Sequence, residues 1–292
     1  MVLVTGCTGF IGRHLVNTLV DRDFEVKCLI RGRKGQSRLP DERVALVPGD
    51  ITRLESLLAA AEGADTIIHL VGIIREKGGA TFERIHIEGT QNVLDAARIL
   101  GVRRIIYMSA LGAREDGASR YQTSKWQAEE LVRSSGLEWI VIRPSVVIGK
   151  GGGFVKVLLN LVGKPVIPVI GSGEYKLQPL YIGDLTQSIA KMLRDSLHWE
   201  NTYELGGPEQ LPFSRILDLT CEILGIRKRR VHLSVPFARR MARIMESVLP
   251  NPPITSDELA MLQEDNITEH NALVSIFGVK PTSFSEALRL SL

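Results

Sequence analysis

The chain opens on a short apolar run, Val2-Leu3-Val4, that passes through Thr5-Gly6-Cys7-Thr8-Gly9-Phe10-Ile11-Gly12 into a helical pattern carried by Ile11, Leu15, Val16, Leu19 and Val20. A buried strand, a turn with three glycines and a helix leave few options for the fold around them. The glycines let the backbone turn tightly and let an anion approach the helix N-terminus, where unpaired N–H groups and the helix dipole favour negative charge. In a strand–turn–helix unit this spacing is the fingerprint of a site for a dinucleotide pyrophosphate.

The rest of the chain repeats the alternation. Strand-like runs recur at Val2–Val4, Val26–Ile30, Val44–Val47, Thr66–Val71, Arg104–Met108 and Trp139–Ile142, with helical patterns at Arg13–Val20, Leu54–Ala61, Phe82–Leu100 and Ser119–Ser134. Such alternation implies an α/β fold, a doubly wound parallel sheet with right-handed crossovers, and ligands beyond the carboxyl ends of its strands. After Ile142 the pattern changes. Gly149, Gly151, Gly152, Gly153, Gly171 and Gly173 mark loops, Pro165 and Pro168 interrupt short apolar pieces, and Pro250, Pro252, Pro253 and Pro281 break up the end of the chain. The expected division is a dinucleotide-binding domain over 1–150, to which 182–206 returns through a helix at Asp184–Arg194, and a smaller C-terminal α/β lobe made of 151–181 and 207–292.

Composition narrows the class. With 292 residues, 44% apolar and 24% charged, the chain has the make-up of an ordinary globular protein. A net charge of +3 gives no footing for nucleic-acid binding. Cys7, Cys28 and Cys221 are widely spaced and the six histidines are scattered, which argues against a disulfide scaffold or a metal site and suits a reducing compartment. The first strand starts at residue 2, so a cytoplasmic chain, or a mature processed one, is expected.

The end of the second strand reads Ile30-Arg31-Gly32-Arg33-Lys34. An NAD site usually carries an acidic residue here for the ribose hydroxyls. A carboxylate would repel a 2′-phosphate, whereas Arg31 and Arg33 can pair with one, so the expected cofactor is NADP(H) in preference to NAD(H); the alternative is a solvated basic loop. Asp50, at the end of the third strand, either bonds the adenine amine or is the N-cap of the next helix.

Tyr121 and Lys125 stand four apart on an expected helix, hence on one face. A phenol with a pKa near about 10 is a poor proton carrier at neutral pH, and a neighbouring ammonium stabilises its phenolate. The same ammonium can bond a nicotinamide ribose, so the pair can move a proton while a cofactor moves a hydride. Ser109 closes the fifth strand, where its hydroxyl either holds a substrate oxygen beside Tyr121 or turns the strand end.

These motifs resemble the short-chain dehydrogenase/reductase superfamily: the glycine pattern at the start, Ser109 ahead of Tyr121-Gln122-Thr123-Ser124-Lys125, and Arg143-Pro144-Ser145 after the sixth strand. Tyr181-Ile182-Gly183-Asp184-Leu185 and Tyr203-Glu204-Leu205-Gly206-Gly207 resemble its extended and atypical members, which are NAD-dependent epimerase/dehydratase-like. The segments His86-Ile87-Glu88-Gly89-Thr90, Ser109-Ala110-Leu111-Gly112-Ala113, Ser119-Arg120-Tyr121, Pro252-Pro253-Ile254-Thr255 and Gln263-Glu264-Asp265-Asn266 are similar to the branch around the 39-kDa accessory subunit of respiratory complex I. The resemblance covers almost the whole chain and implies a Rossmann-type fold with bound NADP(H). Candidate cofactor-binding residues are Thr5, Gly6, Thr8, Gly9, Phe10, Ile11 and Gly12 after the first strand; Arg31 and Arg33 after the second; Asp50 and Ile51 after the third; Leu70, Val71 and Gly72 after the fourth; then His86, Lys125 and Pro144. Candidate catalytic residues are Tyr121, Lys125 and Ser109. Superfamily enzymes carry an Asn where this chain has His86, and that Asn supports a proton relay; His86 is either a substitute relay that titrates near neutrality or a side chain bonded to backbone near the cofactor. The branch contains members in which the nucleotide is structural. Two functions follow: an oxidoreductase or epimerase-like enzyme of unknown substrate, or a non-catalytic NADP(H)-binding protein of assembly, redox sensing or quinone metabolism.

Residues Arg227-Lys228-Arg229-Arg230, Arg239, Arg240 and Arg243 meet no acid until Glu246, while Phe237, Met241, Ile244, Met245 and Val248 share one face of a helix. Either this is a lobe helix with its apolar face in the core and its arginines in water, which is the reading preferred here, or it is a basic amphipathic helix lying on an anionic membrane. The second would place the chain peripherally at a membrane or against a respiratory complex, with a quinone or other isoprenoid as its small-molecule partner.

Overall fold

A computed structural model describes residues 1–32, 43–195, 198–249 and 252–292. Arg33, Lys34 and Pro250 lie outside the described residues. Six parallel strands follow the expected order: β1 (Val2–Thr5), β2 (Val26–Ile30), β3 (Ala45–Pro48), β4 (Thr66–His69), β5 (Arg104–Met108) and β6 (Glu138–Pro144). A seventh, Asn201–Leu205, which the sequence pattern did not reveal, adds at the edge beside β6. From that edge inward the sheet runs β6, β5, β4, β1, β2, β3. The strand order reverses between β1 and β4, and that crevice is where such sheets hold ligands.

The inner strands are largely apolar because both faces of the sheet are covered there. In β1 successive side chains alternate: Val2 and Val4 join the core on one face, Leu3 the core on the other. Helices α1 (Phe10–Val20) and, later, Ile182–Arg194 cover the first face. Helices α2 (Leu54–Ala61), α3 (Gly89–Leu100) and α4 (Arg120–Arg133) cover the second. The single helix expected over Phe82–Leu100 is two pieces. Glu83–Glu88 winds as a wide π-type turn before α3, with Ile85 and His86 both buried. At the junction a side chain on Gly89 would meet Ile51 at 2.5 Å.

A second core gathers Val155, Leu158 and Val162 of α5 (Gly153–Val162) with Ile167, Val169, Phe213, Ile216, Leu217 and Phe284. Beyond α6 (Ile182–Arg194), helix α7 (Phe213–Ile223) contributes to it, and Val166–Ile170 pairs in parallel with Arg229–Leu233. Pro168 is therefore inside a two-stranded piece. Ala272, Leu273, Phe277 and Val279 pack instead with the core of the main sheet, so the stretch after residue 207 does not pack as one lobe.

Helix α8 (Val235–Val248) departs from the preferred reading. Its buried residues are Ala238 and Ala242, set against Leu259 of α9 (Ser256–Met261). Small residues seat the helix closely, and the bulky row is turned out: Phe237, Met241, Ile244 and Val248 are exposed. Among the described residues no helix is long and apolar enough to cross a membrane.

Candidate functional site

The turn after β1 is shaped by two glycines. Gly6 has φ +75°, and a Cβ there would stand 3.1 Å from backbone atoms of Leu70 and Val71. A Cβ on Gly12 would lie 2.2 Å from the Gly6 carbonyl oxygen. Gly9 is the N-cap of α1; it offers no side-chain oxygen, and the first turn contains no acid. The amide N–H groups of that turn are left for an anion. This cradle fits a pyrophosphate. Thr8, Phe10 and Ile11 are partly exposed around it, whereas Thr5 is fully buried, with its hydroxyl 2.6 Å from Nδ1 of His69.

At the end of β2, Arg31 is 75% exposed and its Nη1 lies 4.0 Å from Oδ2 of Asp50. Asp50 Oδ1 accepts from the N–H and the hydroxyl of Thr52, both at 3.0 Å. Helix α2 starts at Leu54 with Arg53 as its N-cap, so Asp50 closes a turn and does not cap the helix. Ile51 is a core residue. Arg33 lies outside the described residues.

The chemistry half is assembled at the ends of β4 and β5. A reciprocal capping box between Ser119 and Gln122 fixes the start of α4 and so the direction of Tyr121 and Lys125. Lys125 is 3% exposed and its Nζ donates to the Met108 carbonyl at 2.6 Å, 4.3 Å from the centre of the Tyr107 ring. Burial pushes its pKa down to about 7, and Glu129 on the same helix opposes that shift. Glu129 is itself fully buried between Arg133 and Arg143, with Arg143 Nη2 at 2.7 Å.

Tyr121 is half-buried, edge-on to His86 at 5.8 Å and to Phe82 at 6.0 Å. Burial pushes its pKa up to about 12. The expected depressed phenol is therefore not present: the ammonium that would stabilise the phenolate is itself desolvated and anchored on a carbonyl. Ser109 Oγ is buried with no hydrogen-bond partner among the described residues, and the serine does not turn the strand end through its side chain. The Ser109 N–H donates to the Ile142 carbonyl at 2.7 Å, which extends the β5–β6 pairing.

His86 is not a group that titrates near neutrality. Its Nε2 accepts from the Ile73 N–H at 3.0 Å, so the proton is on Nδ1, which donates to Ser124 Oγ at 2.8 Å. Ser124 in turn donates to the Tyr121 carbonyl. Burial, then Lys125 and His69, push the His86 pKa down to about 2. The imidazole is a neutral strut between the loop after β4 and helix α4. A Cβ on Gly72 would stand 3.4 Å from His86 Nε2 and 3.8 Å from Lys125 Nζ, which brings this loop against both groups. Leu70 and Val71 precede it, and Pro144 ends β6 behind Leu111, whose N–H bonds its carbonyl.

Sequence reasoning missed two features. His69 is buried between the hydroxyls of Thr5 and Thr90, and its pKa is down to about 3 through burial and then Lys125. A histidine at the end of Thr66-Ile67-Ile68-His69, followed by Leu70 and Val71 in a run expected to be a strand, was the available signal. The other feature is a strap: Arg75 pairs with Glu258, Arg120 with Glu76, and Arg114 with Glu264, while the Arg120 N–H reaches Asp257. It lays the segment around 252–266 beside Tyr121.

Residues 6–161 match the model of the NAD(P)H-binding family. The chain belongs to that family. This NAD(P)H-binding protein is 30% identical to the Arabidopsis thaliana mitochondrial NADH dehydrogenase [ubiquinone] 1 alpha subcomplex subunit 9, over 92% of the chain and 71% of that protein. It is 31% identical to the ceramide reductase of Caulobacter vibrioides over 66% of the chain, and the match spans 61% of that protein's length. The Citrobacter sp. triphenylmethane reductase complexed with NADP(H) has the same fold, with a TM-score of 0.80 at 18% identity and 100% of both chains covered. The family is thus an NAD(P)-binding, epimerase- and reductase-like one that includes complex I subunits.

The buried Lys125 gives stability a defined pH dependence. Its folded pKa lies below its unfolded value, so between about pH 7 and about pH 10 the unfolded chain holds more protons and stability rises with pH. Thermal unfolding of the wild type against Lys125→Met from pH 7 to 9.5 should show the wild type gaining several degrees on the variant. A constant difference would mean that Lys125 is not desolvated.

Proposed function

We propose that the chain is an NADP(H)-dependent oxidoreductase or epimerase-like enzyme acting on a carbonyl or alcohol of an apolar molecule, a quinone or other isoprenoid being the class that fits best. The observation that carries this reading is the unpartnered, buried Ser109 hydroxyl at the end of β5, close in the chain to the Met108 carbonyl that holds Lys125. A buried polar atom without a partner is costly, and a substrate oxygen would satisfy it.

When bound, the nicotinamide supplies or accepts the hydride. The protein's part is to place and protonate. The glycine turn and the α1 N-terminus bind the pyrophosphate, and Arg31 pairs with the 2′-phosphate. Ser109 holds the substrate oxygen and Tyr121 exchanges its proton with it. Lys125, drawn from the Met108 carbonyl once ligand fills the site, bonds the ribose and stabilises the phenolate left on Tyr121. His86 stays neutral and fixes the start of α4. A ceramide reductase among the relatives supports an apolar substrate.

A second reading, a non-catalytic NADP(H)-binding accessory of a respiratory complex, is favoured by one observation. Lys125 is tied to a backbone carbonyl and Tyr121 lies far above neutrality, as befits a site that holds a nucleotide without turning it over. The Arabidopsis complex I subunit among the relatives supports it.

Tyr121→Phe separates the two. On a panel of quinones and lipid ketones, NADPH oxidation should fall about 10²–10⁴-fold while NADPH affinity stays within about twofold. No Tyr121-dependent oxidation across the panel would assign the accessory role. Arg31→Asp should weaken NADPH binding by about tenfold or more and NADH binding far less. Equal losses for both cofactors would remove the NADP(H) preference.

A further inference from the structure

Helix α8 is divided lengthwise into three sectors. Successive residues rotate by about 100°, so Phe237, Met241, Ile244 and Val248 fall within one narrow sector. They are 54%, 38%, 50% and 73% exposed. Ala238 and Ala242, on the neighbouring sector, are the buried contact with Leu259, Ile170, Ile254 and Leu262. Arg239, Arg240 and Arg243 occupy the sector beyond, and none of the three makes an ion pair among the described residues. A lobe helix at rest in water would bury its large apolar side chains and expose its alanines; α8 does the reverse.

The charge around this row is one-sided. Residues 227–249 hold seven lysines and arginines and one acid, while the whole chain carries only +3. The acid, Glu246, is turned away: its carboxylate accepts from the Ser256 N–H at 2.8 Å and the Ser256 hydroxyl at 2.7 Å, at the start of α9. Within the basic run Arg230 is engaged by Asp218 and Lys228 by the Lys164 carbonyl; among the described residues the α8 arginines have no such partner and stand beside the apolar row.

We propose that this face seats α8 in the plane of an anionic lipid bilayer, with Phe237, Met241, Ile244 and Val248 entering the acyl boundary and Arg239, Arg240 and Arg243 meeting the headgroup phosphates. A row of medium-sized apolar side chains flanked by arginines with no ion pair among the described residues, the one acid of the helix being bonded to Ser256, matches a fluid anionic surface. A folded protein partner would need a shaped and hydrogen-bonded counterpart. The docking stands apart from the catalytic reading. Its geometry still bears on the site: α8 packs on α9, and Asp257 and Glu258 of α9 hold Arg120 and Arg75 beside Tyr121. The bilayer would lie one helix away from the strap over the candidate site.

Vesicle sedimentation tests this directly. The wild-type chain should bind vesicles of phosphatidylcholine with phosphatidylglycerol at least about tenfold more tightly than pure phosphatidylcholine vesicles, and less so as salt is raised. Ile244→Asp and, separately, Arg240→Glu with Arg243→Glu should each weaken that binding about tenfold, with unchanged thermal unfolding and NADPH affinity as the control for folding. The proposal is overturned by equal or absent binding to both vesicle types. It is also overturned if Ile244→Asp binds as the wild type does, which would leave only a charge effect. A concentration-dependent dimer that Ile244→Asp abolishes would assign the face to a second copy, and a stable protein partner with no vesicle binding would assign it to that partner.

Discussion

A side chain at position 12 has nowhere to go, because the Gly6 carbonyl oxygen would lie 2.2 Å from its Cβ. That contact sets how closely the start of α1 folds back on the turn after β1, and with it where the amide donors of the first helical turn point. The rest of the site is arranged around this closeness. Gly6 also lies against the backbone of Leu70 and Val71, so the loop after β4 is fixed to the same turn. From there Ile73 holds His86, His86 holds Ser124, and Ser124 reaches the Tyr121 carbonyl. A chain of hydrogen bonds thus runs from the crevice at the strand-order reversal to the helix carrying the phenol and the amine.

Burial governs the electrostatics along that chain. His69 and His86 are neutral struts, the Lys125 pKa is brought close to physiological pH, and the Tyr121 pKa is moved away from it. The desolvation that disfavours the ammonium also makes it responsive: a phenolate or a ribose hydroxyl brought beside it is worth more there than in water. Glu129, locked between Arg133 and Arg143, sits one turn further along α4 and keeps some positive charge on Lys125. The arrangement is poised for a ligand to complete.

Much of the fold was legible because the inner strands are buried on both faces and read as largely apolar runs; all six expected strands, and the expected helices apart from the break at Glu83–Glu88, lie within a few residues of their expected places. The seventh strand, Asn201–Leu205, escaped because an edge strand with one partner alternates Thr202 and Glu204 with Tyr203 and Leu205. The π-type turn at Glu83–Glu88 escaped because spacing in sequence cannot register one extra residue in a helical turn. In the candidate site, Tyr121, Lys125 and Ser109 were singled out by spacing and by position after β5. Their pKa values depend on desolvation and on the Met108 carbonyl, which only the tertiary structure supplies. Helix α8 was misjudged for a similar reason. Amphipathicity says that a face exists, and the two alanines opposite Leu259 decided which face went inside.

The central claim is that the amino-terminal turn cradles a dinucleotide, and calorimetric titration of NADPH and of NADH into the wild-type chain, alongside Gly12→Ala, tests it most directly. The account predicts saturable binding of one nucleotide per chain, tighter for NADPH, and its loss in a folded Gly12→Ala variant. Failure of the wild type to bind either nucleotide, or undiminished binding by the variant, would contradict it.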